Sequence, residues 1–540
     1  MSVLARSLEN AVGLHKSGKL AEAETIYSWV ASQTRTPQDR AMALHLLALC
    51  RAGQGRADDA VATFRECIAS DPANPQFPDA FGGMLMNLKR YDEAAEAYAA
   101  VVRLAPHALP AYINLGNALI NARDYPGAVK AFEAILRTDP NHVAALSSLA
   151  FLAERMSDRA KARAYCEQAL TLAPGSAEAN ILMARLDRRD NRNEVAKERL
   201  ERTIPTCQNA RDFGRAAVEL GFALDALGDH RRAFEAFAQG QKALYSIMDP
   251  RQRDKAAATI VIERCREVIT PQRVAAWPAP RPDGLPSPAF LVGFPRSGTT
   301  LMEQMLASHP RILTTEEVSV LYRVKADIPS MVALRNPYPE ALDDFTPDEV
   351  ARMRARYWDD ARKIFGDRLA GKRLVEKHPL TLVDLPLVRR LFPDAPVIVA
   401  LRDPRDACLS AFMQDFDRGT PHFYDLGWTA EYYDAVMGLW LLYKCALGMN
   451  ALELKYEDLV AEPEKHARAM VAILGEAWDD SVLRFFAPEH RRYVTTPSYA
   501  DVARPVYASS VGRWKNYEPE VEGLAPLLSP YAEAFGYERG

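Results

Sequence analysis

Four rows of residues recur at one spacing along the first half of the chain. Pro72, Pro106, Pro140 and Pro174 stand 34 residues apart. Small residues keep that register at Ala60, Ala94, Ala128 and Ala162, and larger ones follow four positions later at Phe64, Tyr98, Phe132 and Cys166. A further small row runs Ala48, Gly82, Gly116 and Ala150. The period predicts helix–turn–helix units. Small residues let the two helices approach, the aromatic fills the gap between them, and the proline stops the second helix because it cannot continue one. Leu220-Gly221, Ala233 and Phe237 restate the pattern after an irregular unit around 179–211, and residues 5–38 read as a degenerate opening unit. About six or seven units fit between residues 1 and 245.

A 34-residue unit with these rows resembles the tetratricopeptide repeat. That resemblance implies an α-solenoid whose concave face binds a peptide or another protein; an array that only adds stability or dimerises the chain is the alternative. Residues 250–270 mix charge with apolar spacing and read as a connecting helix. Residues 277–288 hold five prolines and one glycine, a stiff linker or an extended strap. The expected division is therefore an array over 1–245, a connector over 246–286 and a second domain over 287–540.

In that second domain the pattern changes. Ala289 to Phe294 is a short apolar run of strand type, and Leu301, Met302, Met305 and Leu306 then recur at helical spacing. Between them lies the turn Gly293-Phe294-Pro295-Arg296-Ser297-Gly298-Thr299-Thr300. Strand, glycine-bounded turn and helix form an anion cradle, because the turn's N–H groups and the helix N-terminus converge on one place. The spacing from Gly293 to Gly298 is that of a P-loop, yet the Lys-Ser or Lys-Thr pair is replaced by Thr299-Thr300 and an arginine, Arg296, sits inside the loop. Without the lysine the loop is poorly equipped for ATP with magnesium, while a guanidinium fork suits a tetrahedral oxyanion. An ordinary strand-to-helix turn with chance glycines is the bland alternative. A second strand–turn–helix unit lies at 396–413: Val397 to Leu401 is a buried-strand run, Arg402-Asp403-Pro404-Arg405-Asp406 turns, and Ala407 to Met413 reads as helix. Two such turns with arginine at or near the strand end predict parallel strands with a ligand at their carboxyl edge.

Length and charge narrow the partners. A chain of 540 residues should hold two or three domains, and a net charge of −4 makes no case for nucleic acid or an anionic membrane. Seven scattered cysteines (Cys50, Cys67, Cys166, Cys207, Cys265, Cys408 and Cys445) include no C-x-x-C pair, which fits a reducing compartment. The first twenty residues carry charges where a signal peptide needs an apolar run, and no apolar stretch approaches membrane-spanning length, so the expected location is the cytoplasm.

Pro295-Arg296-Ser297-Gly298-Thr299-Thr300 resembles the 5′-phosphosulfate loop of sulfotransferases that use 3′-phosphoadenosine 5′-phosphosulfate (PAPS), most closely the tyrosylprotein branch. The resemblance covers roughly residues 287–540. It implies an α/β, P-loop-like domain with a parallel sheet, PAPS as co-substrate and no metal. It implies that Arg296, Ser297, Gly298, Thr299 and Thr300 hold the phosphosulfate, and that Arg402 and Ser410, eight residues apart, take the 3′-phosphate. The usual basic residue four positions on is Gln414. A surface network of Arg402 and Arg405 with Asp403 and Asp406 is the alternative. The catalytic glutamate falls on Glu317, 21 residues after Arg296, with its neighbour Glu316 as the structural alternative. A base there takes the proton of the attacking hydroxyl. Lys377 stands where the family places a lysine against the bridging oxygen, on which charge builds as the S–O bond breaks; His378 beside it reads as structural. Tyr456 matches a tyrosine near the nucleotide, or is a plain core aromatic. Residues 504–514 resemble a late loop over the nucleotide, with Arg513 as the cation for the 3′-phosphate. The acceptor, a protein tyrosine, a sugar or a small phenol, is not legible, though a repeat array favours a protein. Rival readings are a P-loop-type kinase or phosphatase with an unusual loop, disfavoured by the missing lysine, and a nucleotide-binding scaffold without catalysis.

Overall fold

A computed structural model of the protein describes residues 3–332, 335–416, 420–487 and 510–538. It divides into two compact units, 1–182 and 183–540.

The first unit is a run of antiparallel helix pairs: Val3–Lys16 (α1) with Leu20–Gln33 (α2), Pro37–Gly53 (α3) with Ala57–Ser70 (α4), Gln76–Asn87 (α5) with Tyr91–Leu104 (α6), Leu109–Asn121 (α7) with Tyr125–Thr138 (α8), and Val143–Arg155 (α9) with Arg159–Leu172 (α10). Each row of the sequence has its place here. The prolines fall two residues past the ends of α4, α6, α8 and α10. The small row is where the aromatic of the second helix lies against the first: a Cβ at Gly82 would sit 2.8 Å from the Tyr98 ring, and one at Gly116 2.5 Å from the Phe132 ring. Where the larger residue shrinks to Cys166, the small position grows to Ala150.

The turns add a fifth row at the same 34-residue spacing. Gly55, Lys89, Arg123, Ser157 and Asn191 all adopt left-handed backbone, with φ between 58° and 79°. This residue ends the first helix of each pair. The Asp124 and Asp158 side chains then cap α8 and α10 by accepting from the N–H groups of Gly127 and Lys161. The row is invisible in the sequence because four different side chains tolerate the strain.

The pairing continues into the second unit. Ala177–Arg189 (α11), in which the unit boundary falls, precedes Asn193–Thr203 (α12), and Ala210–Ala226 (α13) packs on His230–Ser246 (α14). A Cβ at Gly221 would meet the Phe237 ring at 2.7 Å, repeating the Gly–aromatic fit. Residues 183–245 therefore fold with the α/β part of the chain. Val218, Leu224, Phe237 and Leu244 belong to the same apolar core as the sheet residues Phe290 and Val292.

The α/β part holds five parallel strands, Ala289–Gly293 (β1), Ile312–Thr314 (β2), Arg373–Lys377 (β3), Val397–Leu401 (β4) and Ala451–Lys455 (β5), in the order β2-β3-β1-β4-β5. β1 and β4 are buried on both faces, which explains their unbroken apolar runs. Phe290, Val292, Val397, Val399 and Leu401 enter one core, while Ala289, Leu291, Ile398 and Ala400 enter the other. Thr299–Ala307 (α17) follows β1 and Pro404–Phe412 (α21) follows β4. Between them come Val320–Met331 (α18), Pro347–Phe365 (α19) and Leu385–Leu391 (α20); Lys255–Val268 (α15) and Pro271–Ala275 (α16) precede the sheet. Leu426–Ala446 (α22), Tyr456–Ala461 (α23) and Pro463–Ile473 (α24) complete the layers. The proline-rich stretch is a strap, not a free linker. Arg354 clamps Asp283 at 2.7 Å and the Leu285 carbonyl at 2.7 Å, the Trp358 indole donates to the Pro286 carbonyl, and Arg390 donates to that of Pro278.

Candidate active site

The chain reverses strand order beside β1: β2 and β3 lie on one side, β4 and β5 on the other. The carboxyl ends of β1, β3 and β4 thus open onto one crevice, where parallel α/β sheets place their ligands. Residues singled out from the sequence gather there in two groups.

The first group surrounds the turn after β1. Gly298 is left-handed (φ 92°) and caps α17, whose first residues are Thr299 and Thr300. A Cβ on Gly298 would lie 2.6 Å from the Tyr456 ring, so glycine is required twice over, for its angle and for its space. Arg296 is also left-handed (φ 71°), an uncommon state for a long side chain, of the kind that clusters at functional sites. Its Nε donates to the Ser410 hydroxyl at 3.1 Å, and its carbonyl accepts from Arg402 Nη1 at 3.0 Å. Arg402, at the tip of β4, lies over the Tyr456 ring at 5.1 Å, and its Nη2 donates to the Ser510 carbonyl. The two strand-to-helix turns are therefore not separate, since Arg296 bridges them. Tyr456, at the start of α23, serves both as core and as a wall of the site. The pairing alternative is met for Arg405, which meets Asp403 at 2.7 Å, although both residues are buried and form no surface network. It holds only loosely for Arg402, 3.8 Å from Asp406.

The second group lies across β1, at the end of β3. Lys377 is wholly buried; its Nζ is 2.8 Å from Glu317 Oε1 and 2.9 Å from Glu303 Oε2. Its backbone N–H donates to Thr315. Burial pulls the ammonium's pKa down, but the Glu303 and Glu317 carboxylates outweigh it and hold Lys377 above the ordinary lysine value. Glu303, buried on α17, has its carboxyl raised by desolvation against the pull of Lys377. Its other oxygen accepts the Glu316 N–H at 2.9 Å. Glu316 and Glu317 are both left-handed (φ 51° and 68°), so Glu303 fixes an otherwise unfavourable stretch of backbone. The Glu317 side chain is 27% exposed, the most accessible of Lys377, Glu303 and Glu317, and that of Glu316 beside it is 28% exposed.

Behind the cluster, Glu376 is fully buried. It accepts from the Ser319 hydroxyl at 2.5 Å, from the Tyr357 hydroxyl at 2.8 Å and from the Leu321 N–H at 3.2 Å, which fastens the start of α18 to β3. Desolvation, opposed by these bonds, raises its pKa to about 7. Neither Glu303 nor Glu376 was singled out from the sequence. The Arg513 side chain is turned to Asp225 of α13 at 2.6 Å, while Ser510 of the same segment meets Arg402 of the first group. Residues 504–509 of the late loop lie outside the described residues.

Among proteins of known sequence, residues 288–480 match the sulfotransferase family, and residues 9–75 and 85–150 match tetratricopeptide repeats. An uncharacterized protein of Aquifex aeolicus is 30% identical over 332 residues, covering 59% of this chain and 41% of that protein. Protein-tyrosine sulfotransferase A of Caenorhabditis elegans is 27% identical over 44% of this chain and 65% of that protein, and protein-tyrosine sulfotransferase 2 of Gallus gallus 26% identical over 46% and 71%. The chain thus spans about two fifths to just under two thirds of the first two relatives' lengths. Among solved structures, a tetratricopeptide repeat protein from Parabacteroides merdae is similar over 44% of this chain and 93% of that one, with a TM-score of 0.36 and 16% identity. The chain joins segments that match tetratricopeptide repeats to a domain that matches the sulfotransferase family over residues 288–480.

Proposed function

We propose that the protein is a PAPS-dependent sulfotransferase that moves a sulfuryl group to an acceptor hydroxyl, with a protein tyrosine as the favoured acceptor class. One observation carries the reading: a buried lysine hydrogen-bonded to a partly exposed glutamate stands at the end of β3, beside a phosphate-type loop that lacks its own lysine. The residues present fit such a donor. Buried N–H groups rarely go without a partner, yet Arg402 Nε is buried with no hydrogen-bond partner among the described residues, while its neighbouring nitrogens are engaged. A bound phosphate would supply the missing acceptor.

In this reading Arg296, Ser297, Gly298, Thr299 and Thr300 hold the phosphosulfate end, Arg402 and Ser410 hold the 3′-phosphate, and Tyr456 walls the nucleotide. PAPS supplies the activated sulfuryl group. Glu317 accepts the proton of the acceptor hydroxyl as it attacks. Lys377, kept protonated by its two carboxylates, stabilises the negative charge that develops on the departing oxygen. Glu303 orients Lys377 and the Glu317 backbone. The functional division we propose is an array over 1–245 that recruits a protein or peptide, a connector over 246–286 and a transferase over 287–540. No described helix is long and apolar enough to cross a membrane. None of the seven cysteines is joined in a disulfide, in keeping with the cytoplasmic setting we propose.

Calorimetry tests the donor assignment: 3′-phosphoadenosine 5′-phosphate should bind far more tightly than Mg-ATP, and the reverse order refutes it. Glu317→Ala should lower turnover by ~10²–10⁴ with donor affinity nearly intact. Wild-type turnover in that variant removes the base assignment.

A further inference from the structure

The end of the last repeat carries a charge that its role as a repeat does not require. Asp225 lies in the last turn of α13, where the free carbonyls of a helix end disfavour a carboxylate. Two side chains from far along the chain answer it. Arg513 Nη2 approaches Oδ2 at 2.6 Å, and the Tyr517 hydroxyl donates to Oδ1 at 2.6 Å. His230 Nδ1 is 3.5 Å from Oδ1, and its ring stands edge-on to Tyr517.

The same segment, residues 510–517, is fastened from the other side to α21. The Asp406 carboxylate accepts from the Gly512 N–H at 2.7 Å and from the Trp514 N–H at 2.8 Å. The Arg405 guanidinium lies 3.8 Å over the Trp514 ring. Ser510 contributes its carbonyl to Arg402. α14 reaches the same helix, because the Gln241 amide donates to the carbonyls of Phe412 and Gln414, just past Ser410. The segment is thus strung between a helical repeat and the strand end assigned to the 3′-phosphate, with Arg513 in its middle. Asp225 engages one nitrogen of Arg513, and a guanidinium has five N–H donors, so the pairing fixes the side chain without exhausting it.

We propose that the last helical repeat is a working part of the donor site: Asp225 is a positioning residue that holds segment 510–517, and with it Arg513, against Arg402, so that recognition of the 3′-phosphate depends on the repeat. The inference rests on the sulfotransferase reading above.

The test is calorimetric titration of the full chain with 3′-phosphoadenosine 5′-phosphate and with its analogue lacking the 3′-phosphate. Asp225→Asn keeps an acceptor for Tyr517 and removes the charge facing Arg513. It should weaken the bisphosphate at least about fivefold, leave the analogue within about twofold, and so shrink the discrimination between them. Turnover at saturating donor should stay within about twofold of wild type, and Asp225→Glu should recover part of the affinity. Tyr517→Phe, a milder change, should move the discrimination in the same direction, and it decides the matter if Asp225→Asn fails to fold. If wild type does not bind the bisphosphate, the donor reading itself falls. If wild type binds it and both variants discriminate as wild type does, the repeat has no part in the site and the inference is overturned. Tighter binding by Asp225→Asn also overturns it, because Asp225 would then be withholding Arg513.

Discussion

Removing the Lys377 ammonium should cost stability and activity for different reasons, and the two can be separated. In Lys377→Met a chain of similar length fills the space, but Glu303 loses its counter-ion. The Lys377 side chain is 0% and the Glu303 side chain 2% exposed, so no solvent screens the loss. Breaking a buried ion pair by deleting one partner costs about 3–5 kcal/mol, because the other charge is left buried. Glu303 can escape by taking up a proton, since burial already raises its pKa. A carboxyl with a raised folded pKa contributes most below its unfolded value and loses that contribution as pH rises. The destabilisation of Lys377→Met should therefore grow from pH 5 to pH 8.

Neutralising the orphan removes the cost. Lys377→Met combined with Glu303→Gln should recover most of the lost stability at pH 8, while turnover of PAPS stays lost in both variants. Denaturant unfolding followed by circular dichroism gives the first quantity, and labelled-sulfate transfer the second. If Lys377→Met costs less than about 1 kcal/mol and the second change regains nothing, the electrostatic account of the cluster is wrong. If the double variant regains turnover, Lys377 is only a counter-ion and its role at the departing oxygen falls.

Glu376→Gln tests the carboxyl behind the cluster. Its pKa is raised from 4.5 to about 7, so it favours the fold below pH 4.5 and that contribution disappears as pH rises through 7. The substitution should flatten the stability–pH profile across that window by on the order of 3 kcal/mol, and an unchanged slope would show that Glu376 does not titrate there. In the array, Gly116→Ala should cost about 1–3 kcal/mol, because the new methyl would meet the Phe132 ring at 2.5 Å. Phe132→Leu in that background should return part of the loss, and independent, additive effects would argue against the pairing.

The sequence discloses features that repeat or that break a local rule. The proline, alanine, glycine and aromatic rows mark helix ends and close approaches, and each has one physical cause at every recurrence. The turn row at Gly55, Lys89, Arg123, Ser157 and Asn191 does not, because a left-handed residue at a helix end constrains the backbone and barely constrains the side chain. The alternating cores of β1 and β4 are hidden for another reason. With both faces covered, a strand reads as continuously apolar, and the two-residue period that would assign its faces is lost. The boundary between units was equally hidden. Repeats bury their faces on whatever follows, and Phe237 packs into the core of the α/β part as readily as Phe132 packs into the array.

The same logic separates the legible part of the site from the rest. Glu317 and Lys377 are legible only through the resemblance to the sulfotransferases. Arg296 and Arg402 break local expectations, since a charge inside a glycine turn or at the end of a buried strand invites a question. Glu303 does not. The apolar spacing of Leu301, Met302, Met305 and Leu306 places it on what would be the outer face of α17. An acidic residue there normally means solvent, but every residue from Thr299 to Ala307 is buried. Its partner, Lys377, lies 74 residues on and is brought close only by the β1–β3 pairing that sets Leu291 opposite Lys377. A charge on the wrong face of a fully covered helix is thus the signature of a long-range partner. In the proposed reading, the lysine of β3 would take the place of the missing P-loop lysine: the neighbouring strand would supply the cation, and Glu303 on the helix after the loop, 2.9 Å from it, would keep it charged and aimed.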